Sequence, residues 1–241
     1  MRKQLATIAK KLKNLSRGRQ STASLVQELR AIRISYSQFG EDLVVLNHFS
    51  DFDNSRGRFI DVGAFHPFKY SNTMLLSKLG WRGINIDCDQ VKMRHFEKLR
   101  PRDENVCAAV ADAPRDMIWL EYPYGATNRI ADSDEKHLLS LSNETPSRIT
   151  PVKAMTLTHI IEQTAFRGQH FHYLNIDCEG QDLSVLKGLD FSRYQPDLIT
   201  VEAFTKAARP QLTAFLADLG YELTDIVKLT LFFKKYSTSH G

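Results

Sequence analysis

The chain is poor in the features that would tie it to a disulfide scaffold, a membrane span or a dinucleotide site. Its three cysteines, Cys88, Cys107 and Cys178, are an odd number without metal-type spacing, which points to free thiols in a reducing, cytoplasmic compartment. No stretch approaches the roughly 18 consecutive apolar residues that a membrane-spanning helix needs. The first residues also lack the continuous apolar segment of a secretory signal. There is no G-x-G-x-x-G, which argues against NAD and FAD. Internal repeats and low-complexity runs are absent as well.

What charge there is lies unevenly. The net charge is +4, yet the first twenty residues hold seven Lys/Arg and no acid, so the remaining 221 residues carry a net −3. A mildly acidic body speaks against a nucleic-acid groove, which needs a basic surface. Leu5, Ile8, Leu12 and Leu15 recur at helical spacing inside the basic segment, which makes residues 1–34 a basic amphipathic leader. It reads first as a solvated tail. Weak adsorption to an anionic membrane surface, at the inner face of a membrane, is the second reading, and an organelle transit peptide the third.

From about Ser35 short apolar runs alternate with helix-length amphipathic stretches. Strands are expected at Phe59–Val62, Gly83–Asp87, Val106–Val110, Phe171–Asp177 and Leu198–Glu202, with an extra one at Met117–Tyr122. Helices are expected around Ser71–Leu79, Val91–Leu99, Asp182–Lys187 and Pro210–Leu219, and a closing hairpin at Tyr221–Val227 and Leu229–Lys234. This alternation implies an α/β domain, residues 35–241, with a mostly parallel sheet of about seven strands and an antiparallel edge. The polar region Tyr124–Thr150 reads as a long loop-rich insertion of the kind that covers substrates.

Two strand ends carry the first chemistry. Phe59-Ile60-Asp61-Val62-Gly63-Ala64 is an apolar strand running into Asp-x-Gly-Ala, where an open α/β sheet binds its ligand. Gly63 lets a cofactor approach the backbone, and Asp61 is placed to accept from an amine; a plain turn is the competing reading. Gly83-Ile84-Asn85-Ile86-Asp87 ends in an acid suited to a ribose 2′,3′-diol, unless Asp87 merely caps the next helix. Together they suit an adenosyl cofactor without a pyrophosphate, which describes S-adenosylmethionine. Ser71 and Asn72 could reach the cofactor's methionine carboxylate or simply cap the following helix.

The ordered set Ser37-Gln38-Phe39-Gly40-Glu41-Asp42, Phe59 to Ala64, Ser71-Asn72-Thr73, Gly80 to Asp87, Arg100-Pro101-Arg102-Asp103, Leu174 to Asp182 and Val185 to Phe191, with Pro196 and Glu202, resembles the FkbM methyltransferases over residues 35–235. The resemblance implies a Rossmann-like class I methyltransferase fold. It also implies cofactor roles for Asp61, Gly63, Ala64 and Asp87, and methylation of hydroxyls on sugars, glycans or natural products. Phe65-His66-Pro67 departs from the commoner Asn after the Ala. Gln38, Glu41 and Asp42 precede the first strand, in a segment that in Rossmann methyltransferases folds over the cofactor.

Acceptor chemistry belongs at the later strand ends, where Asp177, Glu179 and Glu202 cluster. A neutral alcohol needs a general base, and crowded carboxylates raise one another's pKa. The same three acids suit a divalent cation, Mg²⁺ or Mn²⁺, that would orient the acceptor; a purely structural role is the third possibility. His66 is a rival base, with a satisfied loop histidine as its plain alternative. Cys178 has no partner for a covalent mechanism, and Cys88 and Cys107 read as core. The expected function is O-methylation of a small-molecule or glycan acceptor. A non-catalytic protein that retains the adenosyl pocket, or a methyltransferase acting on protein or RNA, are the alternatives.

Overall fold

The computed structural model describes residues 32–123, 125, 127–132 and 145–236, with isolated positions 10, 13 and 27. Residues 1–35 and 36–241 form separate compact units. The amphipathic helix expected in the leader lies outside the described residues.

The second unit is built on a seven-stranded sheet. Its strands are β1 (Arg58–Val62), β2 (Arg82–Asp87), β3 (Glu104–Cys107), β8 (Tyr173–Ile176), β9 (Leu198–Glu202), β10 (Tyr221–Val227) and β11 (Thr230–Lys235), in the order β10-β11-β9-β8-β1-β2-β3. β1, β2, β3, β8 and β9 pair in parallel, while β11 runs antiparallel to both β9 and β10. The central strands are buried on both faces, which is why they read as unbroken apolar runs rather than alternating ones. The chain leaves β1 for β2 and β3, then crosses back to lay β8 on the other side of β1. That reversal opens a crevice at the carboxyl ends of β1 and β8, where open α/β sheets bind ligands.

The helices are α1 (Glu41–His48), α2 (Met74–Lys78), α3 (Gln90–Leu99), α4 (Leu157–Glu162), α5 (Asp182–Lys187) and α6 (Ala208–Asp218). α3 shows how the sequence sets one locally. Asp89 caps it, accepting from the Val91 and Lys92 N–H groups, Met93 and Phe96 form its buried face, and Pro101 follows its last turn. Trp81 and Phe59 are fully buried packing residues, as expected. Each contributes roughly 1.5–3 kcal/mol of hydrophobic stabilisation. Among the described residues no helix is long and apolar enough to cross a membrane.

Four expectations change. α2 covers only Met74–Lys78, because Ser71 and Thr73 are spent on side-chain hydrogen bonds before the helix begins. The run 106–110 is two strands: β3 ends at Cys107, and β4 (Ala109–Val110) enters a second sheet ordered β4-β7-β5-β6. The remaining members of that sheet are β5 (Arg115–Glu121), β6 (Arg129–Asp132) and β7 (Arg148–Met155). The polar stretch 124–150 is therefore part strand; positions 124, 126 and 133–144 are outside the described residues. Cys107 is exposed on an edge strand and is not a core residue, whereas Cys88 is partly buried and packs against the cluster around Met117 and Trp119.

Candidate active site

A cavity of about 350 Å³ opens at the carboxyl ends of β1, β2, β8 and β9. Ten of the thirteen residues singled out from the sequence line it: Gln38, Asp61, Gly63, Ala64, Ser71, Asn72, Asp87, Asp177, Glu179 and Glu202. Glu41, Asp42 and His66 do not. Glu41 accepts the Phe39 N–H at 2.7 Å, and Asp42 the Tyr36 N–H at 2.7 Å, so both hold the turn that presents Gln38. His66 Nδ1 accepts the N–H groups of Phe68 and Lys69 at 3.1 and 3.0 Å. The lone pair a base would use is engaged there, and burial pushes the pKa of this histidine down.

At one end of the cavity every acid has fixed donors. Asp61, 1% exposed, accepts from Thr73 Oγ1 at 2.6 Å and Asn175 Nδ2 at 2.8 Å. Burial pushes its pKa up, while those two hydrogen bonds and the Arg100 charge pull it back. Asp87 accepts the Phe65 and Asp89 N–H groups, each at 2.9 Å. Burial raises its pKa too, against the pull of Lys92. The helix cap is Asp89, which leaves Asp87 to the cavity.

Gly63 has φ +78°, and a Cβ there would stand 1.8 Å from the Asp177 carbonyl oxygen. The glycine is thus required first by the contact between two strand ends. Phe65 and Tyr70 also hold positive φ, 54° and 59°, in the loop that follows. Such conformations cost about 1–3 kcal/mol each and collect at functional sites. Lys92, which sequence reasoning passed over, reaches from α3 to donate to the Gly125 carbonyl at 2.9 Å and sits 4.6 Å from the centre of the Phe65 ring.

At the other end the acids face one another. Asp177, Glu179 and Glu202 each present a carboxylate oxygen within 4.8 Å of the others. Asp177 is exposed to the cavity, with the two glutamates half-buried beside it. Desolvation and then the Glu202 charge raise its pKa well above the carboxylate range. Asp177 and Glu202 share a hydrogen bond that requires one proton between them, and burial raises the pKa of Glu202 as well. Glu179, held at φ +51°, is pushed up to about 7 by burial and by Asp177 and Asp182. Asp182 forms the turn beneath it, accepting from Cys178 N at 3.0 Å and Gly180 N at 3.1 Å, and burial brings it to about 7. Phe204 and Leu229 add an apolar wall beside these acids.

A second potential ligand group, His170, His172 and Asp197, lies at the opposite edge of the sheet, at the entries to β8 and β9. His172 Nδ1 accepts the Arg58 N–H at 3.1 Å, so Nε2 carries the proton of the neutral ring and has no lone pair for a metal. The acidic trio is the better oxygen donor set for a hard cation.

A crossover crevice with an acid on the second strand, a glycine turn after the first and no pyrophosphate loop defines a Rossmann-type methyltransferase. The Methyltransferase FkbM domain model matches residues 61–223, and the chain belongs to that family. It is an S-adenosylmethionine-dependent methyltransferase. No curated protein matches it in sequence. Among solved structures it is similar to a TehB-like SAM-dependent methyltransferase from Corynebacterium glutamicum, at 10% identity and TM-score 0.40, covering 96% of this chain and 97% of that one. It is similar to the METTL16 MTase domain at 13% identity and TM-score 0.44, covering 85% and 71%. It is also similar to the MycE methyltransferase of the mycinamycin biosynthetic pathway, solved with Mg and SAH, at 11% and TM-score 0.45, covering 97% and 58%. None of these is close enough to lend the chain an acceptor.

Proposed function

We propose that this protein transfers a methyl group from S-adenosylmethionine to a hydroxyl oxygen of a sugar, glycan or related small molecule. The observation that carries the reading is the Asp177–Glu202 carboxyl pair, which opens on the same cavity as Asp61, Gly63 and Asp87. The residues present fit the cofactor: Asp87 suits a ribose diol, and Asp61, a buried anion with its oxygens oriented, suits the α-ammonium group. When bound, S-adenosylmethionine supplies an electrophilic methyl carbon on a sulfonium. In this reading Asp177 and Glu202 hold one proton and one negative charge between them, and a carboxylate oxygen of the pair, assigned here to Glu202, takes the proton of the acceptor hydroxyl as its oxygen becomes a nucleophile. Phe204 and Leu229 offer an apolar wall of the kind on which the C–H face of a pyranose packs, which favours a sugar.

A divalent cation is the second reading, favoured by three carboxylate oxygens within 4.8 Å. One assay addresses both. The protein is incubated with isotopically labelled S-adenosylmethionine and a panel of nucleotide sugars and lipid-linked glycans, with and without EDTA. Label in a sugar O-methyl ether supports the reading. Label confined to protein or RNA, or none despite tight cofactor binding, overturns it. Loss with EDTA and return with Mg²⁺ or Mn²⁺ assigns the trio to a cation.

A further inference from the structure

The end of the cavity nearest Asp61 contains a buried chain of hydrogen bonds that the reading above leaves unused. Asn175 sits on β8, 4% exposed, in a strand whose other side chains are Tyr173, Leu174 and Ile176. Its Nδ2 donates to Asp61 Oδ1 at 2.8 Å, while its Oδ1 accepts from Thr200 Oγ1 at 2.8 Å and from Asn72 Nδ2 at 3.0 Å. Thr200 has one hydroxyl proton, and it is committed to Asn175. The Tyr173 hydroxyl lies 2.6 Å from Thr200 Oγ1 and 3.4 Å from Asn175 Oδ1, and with the Thr200 proton on Asn175 it is the donor to Thr200. On the other side Arg100 donates to Thr73 Oγ1 at 2.9 Å, and the Thr73 proton goes to Asp61 Oδ2 at 2.6 Å.

Two relays of donors thus start at Tyr173 and Arg100 and end on the two oxygens of one carboxylate. The amide of Asn175 has one workable orientation. Turned over, its oxygen would face the Asp61 carboxylate and its NH₂ the donors of Thr200 and Asn72. Tyr173, Thr200 and Thr73 are fully buried, so water does not substitute for a lost link.

We infer that Asn175, oriented by Thr200 and Tyr173, is a positioning residue that keeps Asp61 an acceptor on both oxygens and aims it at the α-ammonium of the cofactor's methionyl end. The inference rests on the assignment of Asp61 to that ammonium in the proposed function. Asp87 on β2 and Asp177 beyond β8 are the acids that act on Asp61 or are acted on by it, and Arg100 is the cation.

The test is calorimetric titration of the full chain with S-adenosylhomocysteine and with 5′-methylthioadenosine, which has the adenosyl group and thioether but no amino acid. Asn175→Asp replaces the donor by a second carboxylate. At pH 8 the Kd for S-adenosylhomocysteine rises roughly tenfold or more, while that for 5′-methylthioadenosine stays within about twofold. At pH 5.5 the new carboxyl is protonated, donates to Asp61 again and recovers most of the loss; the unsubstituted protein shows no such recovery. Thr200→Val removes the donor to Asn175 and weakens S-adenosylhomocysteine alone by roughly threefold; it decides the matter if Asn175→Asp does not fold. Equal losses on both ligands, or no loss, overturn the inference. Asp61→Asn separates the two assignments. If it spares the selectivity between the ligands, Asp61 does not hold the ammonium. If it abolishes that selectivity while Asn175→Asp and Thr200→Val leave it intact, the relay alone is refuted.

Discussion

Asp61 and Asp87 at one end of the cavity, and Asp177, Glu179 and Glu202 at the other, are the same functional group in two electrostatic situations. All are pushed upward in pKa by burial. What separates them is what faces them. The oxygens of Asp61 and Asp87 receive N–H and O–H donors fixed by backbone and buried side chains, so they remain acceptors with set directions. The other three face one another's carboxylates, and although the Arg129 charge eases Glu179, holding a proton is the main relief for the group. Donor-bound acids suit recognition of a diol or an ammonium. Acid-bound acids suit proton transfer near neutral pH, because they give up and regain a proton where the reaction runs.

The sharpest way to break this contrast is Glu202→Gln. If Glu202 is the proton acceptor, kcat falls by about 10²–10⁴ while the Kd for S-adenosylhomocysteine barely moves. Asp177→Asn retains a donor to Glu202 and costs roughly tenfold at most on the same argument. Equal and total loss in both would mean that the pair acts as a unit, or as cation ligands. A smaller effect is expected at the other end. Asp87→Ala removes ~1.5–3 kcal/mol of charge-assisted hydrogen bonding and weakens S-adenosylhomocysteine about tenfold or more. Intact affinity would return Asp87 to the role of a loop brace.

The smallest effect is on stability. Glu179 and Asp182, each near 7, bind a proton more tightly in the folded chain than in the unfolded one, where carboxyls titrate near 4. The folded state therefore loses stability as the pH rises from about 4 to about 7, and these groups add no further loss above that. Tm measured at pH 5.5 should exceed that at pH 8 by on the order of a few degrees, and Glu179→Gln should flatten the slope. A Tm that rises with pH would mean that these acids are paired with cations in solution.

The sequence carried the strand-end acids plainly, because a strand buried on both faces reads as an apolar run and the first charge after it marks the carboxyl end. β9 falls on the residues expected for this reason, and α5 and β10 coincide with their expected bounds as well. The second sheet was hidden apart from the extra strand expected at Met117–Tyr122, which is β5. Its longest member, Arg148–Met155, contains Pro151 and has only one buried residue, so it carries the signature of a loop. β3 passes into β4 with no turn residue to mark the change of sheet. Lys92 and Arg129 line the cavity from a helix and a small-sheet strand, and nothing local marks either as facing it. Asn175 did leave a signal, a lone amide inside an apolar strand. Its partners on β1 and β9 become neighbours only through the crossover, which no local pattern encodes.

Gly63 bears on how such an enzyme can change over evolutionary time. A side chain there would collide with the Asp177 carbonyl and pry the end of β1 away from the end of β8. The seam is shared property: donor and acceptor ends are joined through one backbone contact with no slack. Phe204 and Leu229, by contrast, sit on a loop after β9 and at the tip of the β10–β11 hairpin, both largely exposed. If the acceptor binds as proposed, a directed-evolution library aimed at new acceptors belongs at 204–206 and 228–229, with position 63 left alone.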